Sequence, residues 1–312
     1  MKQETYDSVI IGAGPAGLTA GIYASRARMK VLLLESYIVM GQATMTDMIE
    51  NYPGVIKSSG FDLIDILKKQ AETFGLECRP GTVKNVLLQD GSWNVEDESG
   101  VYQTHSVIVA TGACSKKLNI PGETEFLGKG VSYCATCDGA FFRDKDIIVV
   151  GGGDTAVEEA LFLTRFGKKV TVVHRRNSLR AAKILQERAF ANKKIEFIWQ
   201  SKIKTINGSQ KVESVSVENI ETGKIQDVAC EGVFIFVGWQ PNTGFLKGTV
   251  NLDEKGGILT DSAMNTSGKG MFAAGDCRKK LLHQVVTACG DGAVAAYSAG
   301  QYVDELKGIV YK

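Results

Sequence analysis

The chain of 312 residues carries almost no net charge, because 36 Lys and Arg residues are balanced by 35 Asp and Glu residues, leaving +1. So small a charge excludes the strongly basic surface that binds nucleic acids or anionic membranes. No apolar run reaches the length of a bilayer span, and the start MKQETYDSVIIGAG has no signal-peptide cleavage region. We therefore expect a cytoplasmic protein that binds neither nucleic acid nor membrane.

The cysteines also lack the spacing of a disulfide framework. They number seven, which is odd, and five of them are scattered singly, as is typical of a reducing compartment. These five are Cys78, Cys114, Cys230, Cys277 and Cys289. The other two, Cys134 and Cys137, are separated by two residues and followed at once by Asp138.

Such a close pair can form a disulfide within one helical turn, often with one thiol of lowered pKa. Half of a zinc site is the alternative reading. A structural zinc site needs four ligands, however, and no second Cys-x-x-Cys or His-x-x-x-His accompanies this pair. We expect a redox-active pair of thiols and no metal.

A first nucleotide-binding signature opens the chain. Residues 6–11 (YDSVII) predict an apolar strand, and GAGPAG at residues 12–17 follows at the head of an Ala-rich helix to about Arg26. The glycines allow a tight turn and a close backbone approach to a pyrophosphate, whose charge lies against the helix N-terminus. A second strand, 31–34, leads to Glu35, whose carboxylate can accept hydrogen bonds from ribose hydroxyls.

The pattern recurs after the cysteine pair. A strand at 146–150, a turn GGGDTA at 151–156, a helix at 157–166 and a strand at 169–173 are predicted. This last strand leads to His174-Arg175-Arg176, with Arg180 nearby, instead of to an acid. Guanidinium groups bind a 2′-phosphate, so NADPH is favoured over NADH. A solvated basic surface is the alternative interpretation.

Two nucleotide sites and a pair of thiols need an intermediary that accepts a hydride and reduces a disulfide, which favours FAD at the first site. The tail is compatible with this. MFAAGD at residues 271–276 has a buried-strand pattern, and a small-residue helix from Gln284 to about Leu306 would aim its N-terminus at the flavin. A packed strand and helix without a ligand is an equally good reading of the tail alone.

Together these segments resemble the low-molecular-weight thioredoxin reductases over nearly the whole chain. The resemblance rests on VIIGAGPAGLTAGIYASR, ENYPG, GVSYCATCDG, VVGGGDTAVEEAL, HRRNSLRA, GWQPN and FAAGD, in this order. It implies an α/β fold of two Rossmann-like nucleotide-binding domains, with the NADPH domain (117–245) inserted into the FAD domain (1–116 and 246–312). It also implies a homodimer.

The resemblance implies the reaction as well: a hydride passes from NADPH to FAD, and electrons then pass to the Cys134–Cys137 disulfide and on to oxidised thioredoxin. Cys137 would be the sulfur nearest the flavin, Cys134 the thiol that attacks thioredoxin, and Asp138 the acid that protonates the departing thiolate. An N-cap or turn role is the alternative for Asp138.

The cofactor contacts also follow from the resemblance. For FAD they are Gly12, Gly14, Pro15, Ala16, Gly17, Glu35, Gly41, Gln42, Asn51, Val83, Ala110, Thr111, Gly112, Asp276, Gln284 and Val285. For NADPH they are Gly153, Asp154, Thr155, His174, Arg175, Arg176 and Arg180.

The chain departs from the family pattern at two places. Met40 replaces the first glycine of the usual Gly-Gly-Gln, and His283-Gln284-Val285 replaces Arg-Gln-Ala, which removes a permanent positive charge. Three rivals to the reductase are a peroxiredoxin-reducing subunit, a dithiol oxidase and a non-catalytic nucleotide sensor. The first needs an extra domain, the second has little use for the arginine cluster, and the third leaves the cysteine pair unexplained.

Overall fold

A computed structural model describes residues 5–36, 41–46 and 48–309. Its strands are β1 (Tyr6–Ile11), β2 (Val31–Glu35), β3 (Glu77–Pro80), β4 (Asn85–Gln89), β5 (Ser92–Glu96), β6 (Val101–Val109), β7 (Ala113–Ser115), β8 (Val131–Ser132), β9 (Asp146–Gly151), β10 (Lys169–Val173), β11 (Ile195–Ile198), β12 (Ser201–Gly208), β13 (Val212–Asn219), β14 (Ile225–Ala229), β15 (Gly232–Phe236), β16 (Trp239–Pro241) and β17 (Met271–Ala273).

The helices are α1 (Pro15–Arg26), α2 (Gln42–Met45), α3 (Gly60–Thr73), α4 (Ala135–Asp138), α5 (Asp154–Leu163), α6 (Lys183–Ala191) and α7 (Val285–Leu306). Short 3-10 helices cover Gly139–Phe142, Gly244–Leu246 and Gly275–Cys277. Within the described ranges, no helix is both long and apolar enough to cross a membrane.

The strands and helices predicted around both glycine-rich turns are present, with three corrections. The turn predicted at 151–156 is too long, because Gly153 is the N-cap of α5 and the helix already begins at Asp154. The predicted helix end at Phe166 is wrong, because Phe166 N and Gly167 N both donate to Leu163 O and turn the chain toward β10. The predicted strand through residue 276 is also too long. It ends at Ala273, because Gly275 adopts a positive φ of 78° and begins a 3-10 turn.

The chain divides into two compact units. Unit 1 comprises residues 1–114 and 240–312, and unit 2 comprises residues 115–239. Each unit contains one of the two glycine-rich turns and its own sheet, which is entirely parallel in unit 2 and carries the antiparallel strands β5 and β4 beside its parallel strands in unit 1. The architecture is therefore α/β with two Rossmann-like halves, the second inserted into the first.

Unit 1 is built on the sheet β3-β2-β1-β6-β5-β4, with β17 also paired to β6. Strands β1, β2, β3, β6 and β17 are parallel, and every residue of β1 is buried. Its side chains alternate between two cores, with Ile10 facing the helices and Val9 and Ile11 facing the other side. Burial on both faces explains why β1 ends in three consecutive apolar residues, Val9 to Ile11.

Helices α1 and α7 cross on one face of that sheet, and they are so close that their backbones are in contact. A Cβ at Gly292 of α7 would overlap the carbonyl oxygen of Ala16 in α1 and lie 3.1 Å from Ala20 N. Ala16, Ala20, Ala288, Ala295 and Ala299 fill the same core with small side chains. The small-residue composition of the tail helix is therefore a packing requirement of this crossing.

Unit 2 is built on the sheet β11-β10-β9-β15-β8, in which all neighbours are parallel. Helices α5 and α6 cover one face, where Ile147, Val149 and Phe234 are buried. The antiparallel sheet β12-β13-β14 contributes Val215 and Val217 to the core on the other face.

The crossing of α1 and α7 predicts different effects for two glycines of the same helix. Gly292→Ala should destabilise the protein by about 1–3 kcal/mol, since the added methyl has to displace the backbone of α1. At Gly290 an added Cβ meets no atom within 4 Å, so Gly290→Ala should stabilise helix α7 by about 0.5–1 kcal/mol. Urea unfolding of the two variants checks this. Equal midpoints would contradict a close crossing.

Candidate active site

The FAD-contact residues predicted in unit 1 lie largely at one edge of its sheet. Parallel strands β1, β2, β6 and β17 all end there, so the segments that follow them are brought together. These segments contain Gly12–Gly17, Ser36, Ala110–Gly112 and Gly275–Asp276. Val83 lies beside the same edge, in a segment where Gly81 N donates to Glu35 O.

The turn after β1 is shaped by Gly12, which has φ 107°. A Cβ there would lie 2.5 Å from Ala110 O, so no other residue fits this turn without moving β6. Gly12 N donates to Leu34 O, and Ala110 N donates to Ile11 O. Three neighbouring strand ends are thus linked by backbone hydrogen bonds.

The same turn leaves room for a ligand at Gly14, the N-cap of α1. Its φ of −75° is open to any residue, and a Cβ there would meet no atom within 4 Å. Glu35 ends β2 with its side chain partly exposed and with Lys68 Nζ 4.0 Å from its Oε2. An open turn at a helix N-terminus and a carboxylate at the next strand fit a dinucleotide without a 2′-phosphate.

The residues predicted from the ENYPG segment and from the last helix contact each other. Asn51 Nδ2 donates to Gln284 Oε1 over 3.1 Å. Gln284 is the N-cap of α7 and forms a capping box with Thr287, and Val285 is the first residue of the helix. The hydrogen bond fixes the start of α7 relative to residue 51.

Next to them is a charged cluster that the sequence did not reveal. Asp291 Oδ1 lies 3.0 Å from Arg278 Nη1, and Asp291 Oδ2 lies 3.1 Å from Lys280 Nζ. Lys280 Nζ is also 3.5 Å from Asp276 Oδ1, and His283 Nδ1 is 3.4 Å from the same oxygen. The Lys280 side chain is only 7% exposed, so its charge holds Asp276 in place with little competition from water.

Other predicted contacts surround the end of β6. Gln42 Nε2 donates to Ala113 O, which fixes the short helix α2 that begins after Gly41. Thr111 Oγ1 donates to Asn242 O over 2.8 Å, and Asn242 N donates to Gly112 O. Met40 lies outside the described residues.

The predicted NADPH residues of unit 2 lie at the carboxyl edge of its sheet. Gly153 is the N-cap of α5, with φ −94° and no atom within 4 Å of an added Cβ. Asp154 and Thr155 begin the helix, and Asp154 Oδ1 accepts a hydrogen bond from Ala182 N over 2.7 Å. Arg180 N donates to Gly152 O over 2.7 Å, which places the basic segment against the glycine-rich turn.

His174 is placed differently from its arginine neighbours. It is 5% exposed, and its ring packs against Gly152 where a Cβ would overlap it. Burial, and next the positive charge of Arg180, lower the pKa of His174. Its Nε2 is buried and has no hydrogen-bond partner within the described ranges. Arg175, Arg176 and Arg180 are exposed and carry the charge of the cluster.

Cys134 and Cys137 form a disulfide. Cys134 is the N-cap of α4 and is half-buried, whereas Cys137 is exposed. The pair follows β8, which is the outermost strand of the sheet and runs parallel to β15. The pair therefore lies at the carboxyl ends of the strands, as does the turn at Gly153. Asp138 ends α4, and its side chain does not cap the 3-10 helix that follows.

A buried carboxylate supports this segment, and sequence reasoning missed it. Glu123 is 2% exposed. Its Oε1 accepts from Tyr133 OH at 2.6 Å and from Leu118 N at 2.8 Å, and its Oε2 accepts from Asn119 N at 2.6 Å. Burial and the hydrogen bond to Glu123 raise the pKa of Tyr133, so its hydroxyl stays a donor. Tyr133, the residue before Cys134, is therefore anchored by its hydroxyl to Glu123.

The fold and both nucleotide turns define a class of protein. The chain belongs to the pyridine nucleotide-disulphide oxidoreductases, whose family model matches residues 6–292. It is an enzyme, and its cofactors are FAD and NADPH.

Individual relatives are similar over nearly their whole length. A thioredoxin reductase of Peptoclostridium litorale is 49% identical over 97% of this chain and 99% of its own. Among solved structures, Lactococcus lactis thioredoxin reductase matches with a TM-score of 0.94 at 48% identity, over 96% of this chain and 99% of that chain. The T. acidophilum thioredoxin reductase matches with a TM-score of 0.92 at 33% identity, over 97% of this chain and 99% of that chain.

The open turns at Gly14 and Gly153 predict that valine at each position weakens the binding of a different cofactor. Gly14→Val should lower FAD affinity by about tenfold or more, since the side chain displaces a pyrophosphate from the backbone. Gly153→Val should retain FAD and lose NADPH binding to a similar degree. Flavin absorbance of the purified proteins and calorimetric titration with NADP⁺ measure the two affinities. Loss of FAD from the Gly153 variant would reverse the assignment of the two turns.

Proposed function

We propose that the protein is a thioredoxin-disulfide reductase that uses NADPH as its electron source. The observation that carries the proposal is the Cys134–Cys137 disulfide at the same sheet edge as the nucleotide turn of unit 2. The chemistry that bound FAD would supply is to accept a hydride from NADPH and to pass an electron pair to a disulfide. The similarity to thioredoxin reductases over nearly the whole chain supports thioredoxin as the substrate.

The two cysteines divide the disulfide chemistry between them. An electron pair breaks the Cys134–Cys137 bond and leaves two sulfur anions, one of which takes a proton. The Cys134 thiolate then attacks the disulfide of thioredoxin, forms a mixed disulfide and expels one thioredoxin sulfur. Asp138, directly after Cys137, protonates the expelled sulfur. Cys137 finally loses its proton and its thiolate attacks Cys134 Sγ; the bond between Cys134 and thioredoxin breaks, and the second thioredoxin sulfur leaves and takes a proton, which restores the enzyme disulfide and releases reduced thioredoxin.

In this proposal unit 1 would hold FAD and unit 2 would hold NADPH, with the contacts expected from the sequence; the expected NADPH domain (117–245) extends past the end of unit 2 at residue 239. The turn at Gly14 would hold the pyrophosphate of FAD, and Glu35 would bind its ribose. Arg175, Arg176 and Arg180 would bind the 2′-phosphate of NADPH, and Asp154 and Thr155 would hold its pyrophosphate. The open turns and the exposed guanidinium groups support this division.

We extend the proposal to a cytoplasmic homodimer that binds neither nucleic acid nor membrane. The nearly balanced charge supports the absence of a nucleic-acid surface. The free cysteines Cys114, Cys230 and Cys289 fit a reducing compartment.

The division of labour between the thiols is tested by Cys134→Ser. This variant should still let NADPH bleach the flavin, since that step does not involve the disulfide, but it should lose thioredoxin reduction. Cys114→Ser removes an exposed free cysteine and should retain both activities. Anaerobic flavin absorbance and a thioredoxin-coupled assay measure the two steps. Thioredoxin turnover by Cys134→Ser at the wild-type rate would refute the proposal.

The choice of nicotinamide is tested by replacing Arg175 and Arg176 together with Gln. NADPH binding should weaken by about 1.5–3 kcal/mol for each charge-assisted hydrogen bond that the variant can no longer form, while NADH binding changes little. A control with the same change of charge, Lys129→Gln with Lys211→Gln, lies at exposed positions before β8 and β13. Steady-state KM values for both nucleotides decide. A double arginine variant that still prefers NADPH would contradict the assignment.

A further inference from the structure

Two hydrogen-bond donors lie beside the sulfur atom of Cys134. Thr136 Oγ1 lies 3.3 Å from Cys134 Sγ, and Cys137 N donates to the same sulfur over 3.1 Å. A disulfide sulfur carries no proton, so in the contact with Thr136 the hydroxyl is the donor. Two donors thus converge on one of the two sulfurs.

The backbone of Cys134 is fixed independently of these contacts. Ser132 Oγ accepts from Cys134 N over 3.0 Å and donates to Cys134 O over 3.1 Å. Ser132 is 4% exposed, and the side chain of Tyr133 is held by Glu123. Because these bonds hold the main chain at Cys134, opening of the S–S bond does not require its sulfur to leave the two donors.

We propose that Thr136 is a catalytic residue whose hydroxyl stabilises the thiolate of Cys134. This inference rests on the proposed function and adds a residue to it. A hydrogen bond to a thiolate is charge-assisted, so it is stronger than the same bond to the disulfide sulfur or to a thiol. After an electron pair opens the S–S bond, the one proton taken up goes preferentially to Cys137, and Cys134 stays ionised.

This difference in protonation between the two thiols makes Cys134 the attacking sulfur. Disulfide exchange requires a thiolate, and its rate rises with the ionised fraction of the attacking thiol. The ionised Cys134 forms a bond to one sulfur of the partner disulfide, and the other partner sulfur leaves with the electron pair and takes a proton. Cys137 remains protonated until it resolves the mixed disulfide.

Thr136→Val tests the inference, because valine has the shape of threonine without the hydroxyl. The holoenzyme is reduced with dithiothreitol and alkylated with iodoacetamide across pH 5–10, and peptide mass spectrometry follows Cys134 and Cys137 separately. At neutral pH the valine variant should show an alkylation rate of Cys134 about 3- to 10-fold below wild type, with the curve moved to higher pH. Thr136→Ser retains the donor and should restore the wild-type curve.

Flavin content and thermal melting identify a variant that fails to fold, and Thr136→Ala then replaces the valine variant in the same measurement. A Cys134 curve in the valine variant that coincides with wild type would overturn the inference. So would a serine variant that shifts as far as the valine variant, because the effect would then be structural. The alkylation needs no thioredoxin, so an enzyme inactive on thioredoxin would refute the proposed function and leave this result standing.

Discussion

The crossing of α1 and α7 at backbone distance is the constraint on which the cofactor face of unit 1 depends. Gly292 lies against the Ala16 carbonyl in the first turn of α1. The contact therefore fixes the helix whose N-cap is Gly14 against the helix whose N-cap is Gln284. Because the two backbones are this close, only small side chains fit between the helices. The glycine and alanine residues of α7 thus help to position a ligand site without having to contact the ligand themselves.

In unit 2 the comparable constraint is strand order. Strand β8 has only two residues, yet its parallel pairing with β15 brings the disulfide to the edge where Gly153 and Arg180 lie. So short a strand makes few ladder bonds, and the Glu123 carboxylate adds bonds to Tyr133 and to the segment that enters unit 2. Because this carboxylate is buried, its loss would leave several donors unsatisfied at once. The reactive segment is therefore held by a polar network as well as by the sheet.

The sequence was sufficient for features that depend on local pattern. Apolar strands before glycine-rich turns predicted β1 and β9 because a buried parallel strand and a tight turn each restrict residue type. Contacts between distant residues left no such pattern. Lys280 with Asp291, Glu123 with Tyr133, and Asn51 with Gln284 arise from tertiary packing, and each residue alone looks like an ordinary polar residue. The position of His174 beneath Gly152 was missed for the same reason, since its basic neighbours suggested an exposed segment.

The burial of His174 also bears on pH dependence. Because burial and Arg180 lower its pKa, His174 is neutral at and above neutral pH, and the positive charge of the segment 174–180 comes from its arginines. Guanidinium groups keep their charge throughout the range in which proteins are stable. In the proposed NADPH site, the attraction of these arginines for a 2′-phosphate therefore does not depend on the ionisation of the protein near neutral pH.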